Sequence, residues 1–134
     1  MNDHPLPRHL NFLDPGNKLL KSFNEKDFNK YDVLIGLDIY DKIRVEFLTF
    51  ERVLKIKKLC FVDHHMVEDN FKDNFLRWID PTKASVGSMV YELIEYFKVP
   101  FTLEMAKGIY LSLIADTGNF GSGTTVGSHE IKRI

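Results

Sequence analysis

The residues in this chain whose types and positions could share one chemistry are Asp38, Asp63, His64, His65 and Asp116. Asp38 closes the apolar run Tyr31-Asp-Val-Leu-Ile-Gly-Leu-Asp38, and Asp63-His64-His65 follow a second run that begins at Leu59. Runs of this kind read as buried parallel strands. Parallel strands carry their carboxyl ends to one edge of a sheet, and ligands of open α/β sheets bind beyond that edge. The three side chains after the second run are not equivalent. In extended backbone Asp63 and His65 share a face and His64 takes the other. Asp116 ends a helical stretch, where a carboxylate meets the negative end of the helix dipole and is disfavoured unless a cation compensates it. Carboxylate and imidazole ligands together suit Mn²⁺, with Fe²⁺, Zn²⁺ and Co²⁺ as alternatives and Mg²⁺ less suited to the imidazole. Such ions activate water and neutralise phosphoryl oxygens.

Each of these residues alone has an ordinary explanation. Asp38 could start a turn with Asp41, His64 and His65 could be hydrogen-bonded strand-end residues, and Asp116 could pair with a lysine. Their convergence is what points to a metal. Cys60 reads as a small hydrophobe inside a strand, and Gly121-Ser-Gly-Thr-Thr as a loop rather than an anion nest.

The elements that must position these groups follow from periodicity. Residues 1–30 are polar and punctuated by Pro5, Pro7, Pro15 and Gly16, so they read as loop with one short helical turn near Asn17 to Phe23. Ile43, Phe47, Phe50 and Leu54 recur at helical spacing over Ile43 to Ile56. Strand, helix and strand in that order define a right-handed βαβ unit. Asn74 to Ile79 reads as a third strand, broken by Asp80-Pro81. Ser85 to Lys98 reads as helix, with Val86, Met89, Val90, Leu93 and Phe97 on its apolar stripe. Thr82 and Ser85 are rival caps for it. A further helix starts after Thr102, buries Ala106, Ile109, Tyr110 and Leu113, and ends near Gly118. Ser128 could cap a last turn. The fold class expected is α/β, a partial doubly wound and mostly parallel sheet flanked by helices.

Composition excludes several other classes. Apolar residues make up 44% and charged residues 28% of 134 residues, which is ordinary for one globular domain. Eighteen basic against nineteen acidic residues leave a net charge of −1, which excludes a polycationic nucleic-acid or membrane coat. One cysteine excludes an internal disulfide framework and a Cys-rich zinc module. No apolar run reaches the roughly 18 residues of a membrane span, and the first 18 residues lack a signal-peptide core. A soluble cytoplasmic protein with no membrane partner is expected.

Read in order, Val33-Leu-Ile-Gly-Leu-Asp38, Phe61-Val-Asp-His-His65, Ala84-Ser-Val-Gly-Ser-Met-Val-Tyr-Glu-Leu-Ile94 and Gly108-Ile-Tyr-Leu-Ser-Leu-Ile-Ala-Asp-Thr-Gly-Asn-Phe120 resemble the DHH phosphoesterases. The likeness is strongest to the NrnA-type branch, which acts on short oligoribonucleotides and on 3′-phosphoadenosine 5′-phosphate (pAp). It covers residues 2 to 130. The resemblance implies two Mn²⁺ ions per intact site. It implies that Asp38 bridges them, that His64 and Asp116 are ligands of one ion, and that His65 lies by the substrate phosphate. It also implies that Asp63 orients the histidine motif. Asp63 and His65 are thus the catalytic candidates, and Asp38, His64 and Asp116 the metal ligands.

The chain departs from the family pattern in ways that carry their own expectations. The family opens with a His-x-x-Pro-Asp-Gly-Asp type motif that supplies ligands to both ions, and His4-Pro5 is no substitute for it. A C-terminal substrate-binding domain of the family pattern is also not matched. Gly121 stands after Phe120, where the family has a basic residue. Residues 1–134 therefore read as an incomplete DHH domain, a piece truncated at both ends and lacking the first strand. On its own such a piece would be inactive and expose a sheet edge for self-association. Three functions remain open: part of a Mn²⁺-dependent phosphoesterase acting on short RNA or DNA oligonucleotides or pAp; a non-catalytic half that binds one metal or a partner; and a family member acting on pyrophosphate or cyclic dinucleotides. Lys83, Lys107 and the unmatched C-terminal domain are all possible sources of phosphate contacts; the sequence favours none of them, and the substrate-binding residues are left unassigned.

Overall fold

The computed structural model describes residues 6–14, 16, 30–40, 58–67 and 75–121. The helix expected over 43–56, the turn near 17–23, the tail after Gly121 and the capping role of Ser128 lie outside those residues. Three strands, β1 (Val33–Leu37), β2 (Lys58–Asp63) and β3 (Leu76–Ile79), precede two helices, α1 (Val86–Tyr96) and α2 (Leu103–Asp116). The strands form a parallel sheet in the order β1-β2-β3. The architecture is α/β, as the alternation of runs predicts.

The central strand carries the core because it has neighbours on both sides. Leu34 lies opposite Leu59, Gly36 opposite Phe61 and Leu37 opposite Val62. Phe61 faces Arg77 and Asp63 faces Ile79 across the other ladder. Leu59 and Phe61 are buried, with Leu34, Ile39 and Phe75 packed on them. Phe61 and Phe75 meet edge to face at 6.0 Å, and the Arg77 guanidinium lies 5.5 Å from the centre of the Phe61 ring. Gly36 makes room for that ring, since a Cβ there would sit 2.9 Å from Phe61 Cδ1.

Both helices start where a hydroxyl satisfies a free N–H. Ser85 Oγ accepts from Ser88 N at 3.3 Å, and Thr102 Oγ1 accepts from Met105 N at 3.3 Å. Of the rival caps, Ser85 is therefore the one used. The helices cross at Gly87, whose N–H donates to Ser112 Oγ at 3.1 Å and whose missing Cβ would lie 2.7 Å from Ser112 Cβ. Ala84, Ile109 and Leu113 fill the space around this crossing, with Tyr91 and Ile94 against them.

Away from the sheet's carboxyl rim, the structure differs from the sequence reading in three places. Residues 8–13 form a 3-10 helix rather than open loop, because Pro7 sets a turn that Leu10 N closes onto Pro7 O at 2.8 Å. Phe97 is exposed rather than on the apolar stripe, since α1 ends at Tyr96 and Lys98 turns into left-handed backbone at φ 53°. Tyr110 is 56% exposed, because it is one residue, about 100° of helix, from the buried Ile109. No helix among the described residues is long and apolar enough to cross a membrane.

Candidate metal centre

The sheet presents its site at the carboxyl ends of β1 and β2. The Asp38 N–H continues the ladder by donating to Val62 O at 2.9 Å. Asp38 then takes φ 61°, a left-handed conformation uncommon away from glycine. The chain turns there, and the Asp38 carboxylate comes within 3.6 Å of His64 Nε2 and 3.7 Å of His65 Nδ1. One step along the sheet, Asp63 is completely buried at the end of β2. Its Oδ1 accepts from the His65 backbone N–H at 3.1 Å and meets His65 Nδ1 at 2.7 Å. These contacts end the strand and curl the chain back on itself. Strict alternation stops with Asp63, so His64 does not stay on the opposite face. The two imidazole rings lie 4.8 Å apart, and one donor atom from each of Asp38, Asp63, His64 and His65 lies within 4.8 Å of all the others.

Asp116 enters from the last turn of α2, which contains no basic residue. Its Oδ2 lies 3.5 Å from His64 Nε2. Burial pushes the Asp116 carboxyl above its usual range, and Asp38 and Asp63 push the same way while His64 and His65 oppose them. The helix turn beyond it is closed by Thr117, whose hydroxyl donates to Leu113 O at 2.6 Å, and by left-handed Gly118 at φ 56°.

The two nitrogens of His64 have different surroundings. Nδ1 lies 3.3 Å from Lys83 O. A carbonyl oxygen can only accept, so Nδ1 carries the proton and the lone pair of the neutral ring resides on Nε2. That Nε2 is buried and has no hydrogen-bond partner, though it faces Asp38 and Asp116. In that neutral form the Nε2 lone pair faces two carboxylates, a placement that a bound cation would stabilise. Ligands around a divalent ion at about 2.0–2.2 Å stand about 3–3.5 Å from one another. The donor set and its spacing therefore fit a divalent cation, with Asp38, His64 and Asp116 converging and Asp63 and His65 beside them.

Asp38, Asp63, His64, His65 and Asp116 thus meet at one rim. Lys83 does not offer its ammonium there, because Nζ pairs with Glu92 on α1. Sequence reasoning missed what Lys83 does contribute, the carbonyl against His64. The Asp80-Pro81 break was the available signal, since it marks a turn beside the rim.

A parallel α/β sheet with carboxylates and imidazoles at its carboxyl rim defines the class: an open-sheet domain built to bind at its strand ends. Comparison narrows this. The chain is 31% identical over 110 residues to the bifunctional oligoribonuclease and PAP phosphatase NrnA of Bacillus subtilis, covering 80% of this chain and 34% of that protein. It is 29% identical over 129 residues to the protein of the same name from Thermus thermophilus, covering 96% of this chain and 34% of the relative. An exopolyphosphatase-related protein of Bacteroides fragilis shares the fold, with a TM-score of 0.74, 23% identity, and coverage of 98% of this chain and 39% of that one. No family model matches the chain. The chain is related to the DHH phosphoesterases, as its motifs indicate, and it spans about a third of the length of the curated relatives it matches.

Proposed function

We propose that this chain is the metal-holding part of a phosphoesterase that cleaves short oligonucleotides or removes the 3′-phosphate of nucleotides such as pAp. Residues 1–134 are read as an incomplete DHH domain with one set of ligands, Asp38, His64 and Asp116, for one Mn²⁺ ion. The observation that carries the proposal is the buried, unpartnered Nε2 of His64 held between Asp38 and Asp116. When bound, the ion supplies a polarised water as nucleophile and positive charge for the phosphoryl oxygens. The chain's own groups do the rest. Asp63 holds the His65 ring by Nδ1, which leaves Nε2 of that ring to meet a phosphoryl oxygen. Asp38 and His65 are about half exposed, as groups that face substrate must be. The names of the two curated relatives support oligoribonucleotides and PAP as substrates.

The test is hydrolysis of a dinucleotide and of pAp in Mn²⁺ by this chain supplied with the opening segment of a relative, with and without Asp38→Ala. Wild type is expected to turn over and Asp38→Ala to lose several orders of magnitude in rate. Retention of more than about a tenth of the rate contradicts the role given to Asp38.

One observation favours a second reading. The 134 residues contain no His-x-x-Pro-Asp-Gly-Asp segment, so a second ion has no matching ligands here. The chain alone would then be a metal- or partner-binding half without turnover. Multiple turnovers by the chain on its own would rule this out. β1, at the edge of the sheet among the described residues and with Val33, Ile35 and Leu37 all exposed, supports self-association as part of either reading.

A further inference from the structure

The carbonyl that fixes His64 belongs to a turn built for that placement. Asp80, Pro81, Thr82 and Lys83 have the residue types of a β-turn, with an acid first and proline second. Lys83 N donates to Asp80 O at 3.1 Å and closes it. Inside the turn, Asp80 Oδ1 accepts from Thr82 N at 3.0 Å and from Thr82 Oγ1 at 2.6 Å. The turn is tied at both ends. Asp80 N donates to Asp63 O at 3.0 Å, so it starts from the last residue of β2. Beyond Lys83, the buried Ala84 and Ser85 lead into α1, and Lys83 Nζ pairs with Glu92 of that helix. The only freedom left to the Lys83 carbonyl is small, and it points at His64 Nδ1.

From this arrangement we infer that the Asp80–Lys83 turn sets the tautomer and ring orientation of His64, and that Asp80 and Thr82 are positioning residues of the metal centre. The inference rests on the metal-binding reading above and extends it to residues that touch neither ion nor substrate. An imidazole that binds metal through Nε2 needs its proton on Nδ1, and an acceptor held at Nδ1 selects that tautomer in advance. A loosened turn lets the carbonyl drift. The ring then populates both tautomers and several orientations, only some of which bind. The side chain of Lys83 adds to the anchoring, but its substitution leaves the carbonyl in place, so Thr82 and Asp80 are the sites to change.

The experiment compares the chain with its Thr82→Val, Thr82→Ser and Asp80→Ala variants by two readouts. One is the ¹⁵N spectrum of the His64 ring without metal, and the other is Mn²⁺ affinity by titration. Thr82→Val conserves shape and removes the hydroxyl bond, and Thr82→Ser restores it. Wild type and Thr82→Ser are expected to hold the Nδ1–H tautomer and the same affinity within about twofold. Thr82→Val and Asp80→Ala are expected to mix tautomers and to weaken Mn²⁺ about tenfold, the lower end of what lost support around a ligand costs. If Asp80→Ala does not fold, the threonine pair decides. A Thr82→Val protein with wild-type tautomer and affinity overturns the inference. If wild type binds no Mn²⁺, the metal reading fails, and the tautomer spectra alone still support or overturn the positioning role.

Discussion

His64 divides its work between two ring nitrogens, and its neighbours differ in what they would lose. Its Nδ1 is anchored to Lys83 O and its Nε2 is the buried atom that faces two carboxylates. His65 instead has Nδ1 tied to Asp63 and is 45% exposed. Replacing His64 by alanine should weaken Mn²⁺ at least about 100-fold, while His65→Ala should leave the affinity within about threefold and reduce hydrolysis in the extended protein. Calorimetric titration of both variants checks this. Asp80 gives a pH signature. The hydrogen bonds from Thr82 hold its carboxyl below the usual range, so the charged form is favoured in the fold. Its contribution is fully present above the ordinary carboxylate pKa of about 3.9 and is lost as pH falls through the lower folded value. The difference in Tm between wild type and Asp80→Ala should therefore be constant from pH 7 to about 5 and narrow below about 4, as thermal melts across that range would reveal. The side chains of this site were legible because each ends a strand or helix, where chain topology converges. The Lys83 carbonyl was not, because every residue carries a carbonyl and only the fold singles one out.

At the scale of elements, the strands and helices bring the rim together through their ends. The strands were readable because β2 contains the continuous apolar run Leu59 to Val62, as a parallel strand buried on both faces does. The choice between Thr82 and Ser85 was not readable, since both hydroxyls precede α1. The turn uses one and the cap the other. The exposed Phe97 and Tyr110 show the limit of periodicity, which cannot say where a stripe stops being covered. Two substitutions probe this level. Gly87→Ala would drive a methyl into Ser112 at the helix crossing and should cost about 1–3 kcal/mol in chemical denaturation. Lys98 closes α1 in left-handed backbone, with Lys98 N bonded to Glu95 O and Val99 N to Ile94 O, both at 3.0 Å. Glycine has no Cβ penalty there, so Lys98→Gly should stabilise by about 0.5–1 kcal/mol in the same assay.

For the molecule as a whole, the sheet is covered unevenly. Val33, Ile35 and Leu37 of β1 share a face with Leu76 of β3, and all four are 46–60% exposed. Apolar side chains on an edge strand favour association. Sedimentation should detect concentration-dependent dimers or larger species, and Ile35→Lys should shift them toward monomer. The sequence foretold a parallel sheet from its succession of apolar runs. It could not say which side chains stay open, because that depends on how the rest of the chain packs against the sheet. The proposed function turns on whether Asp38, His64 and Asp116 together hold one ion. Titration of the chain with Mn²⁺, followed by electron paramagnetic resonance of the free ion, tests this directly. The account predicts one saturable ion per chain, lost in His64→Ala. No saturable binding, or binding that survives His64→Ala unchanged, would contradict it.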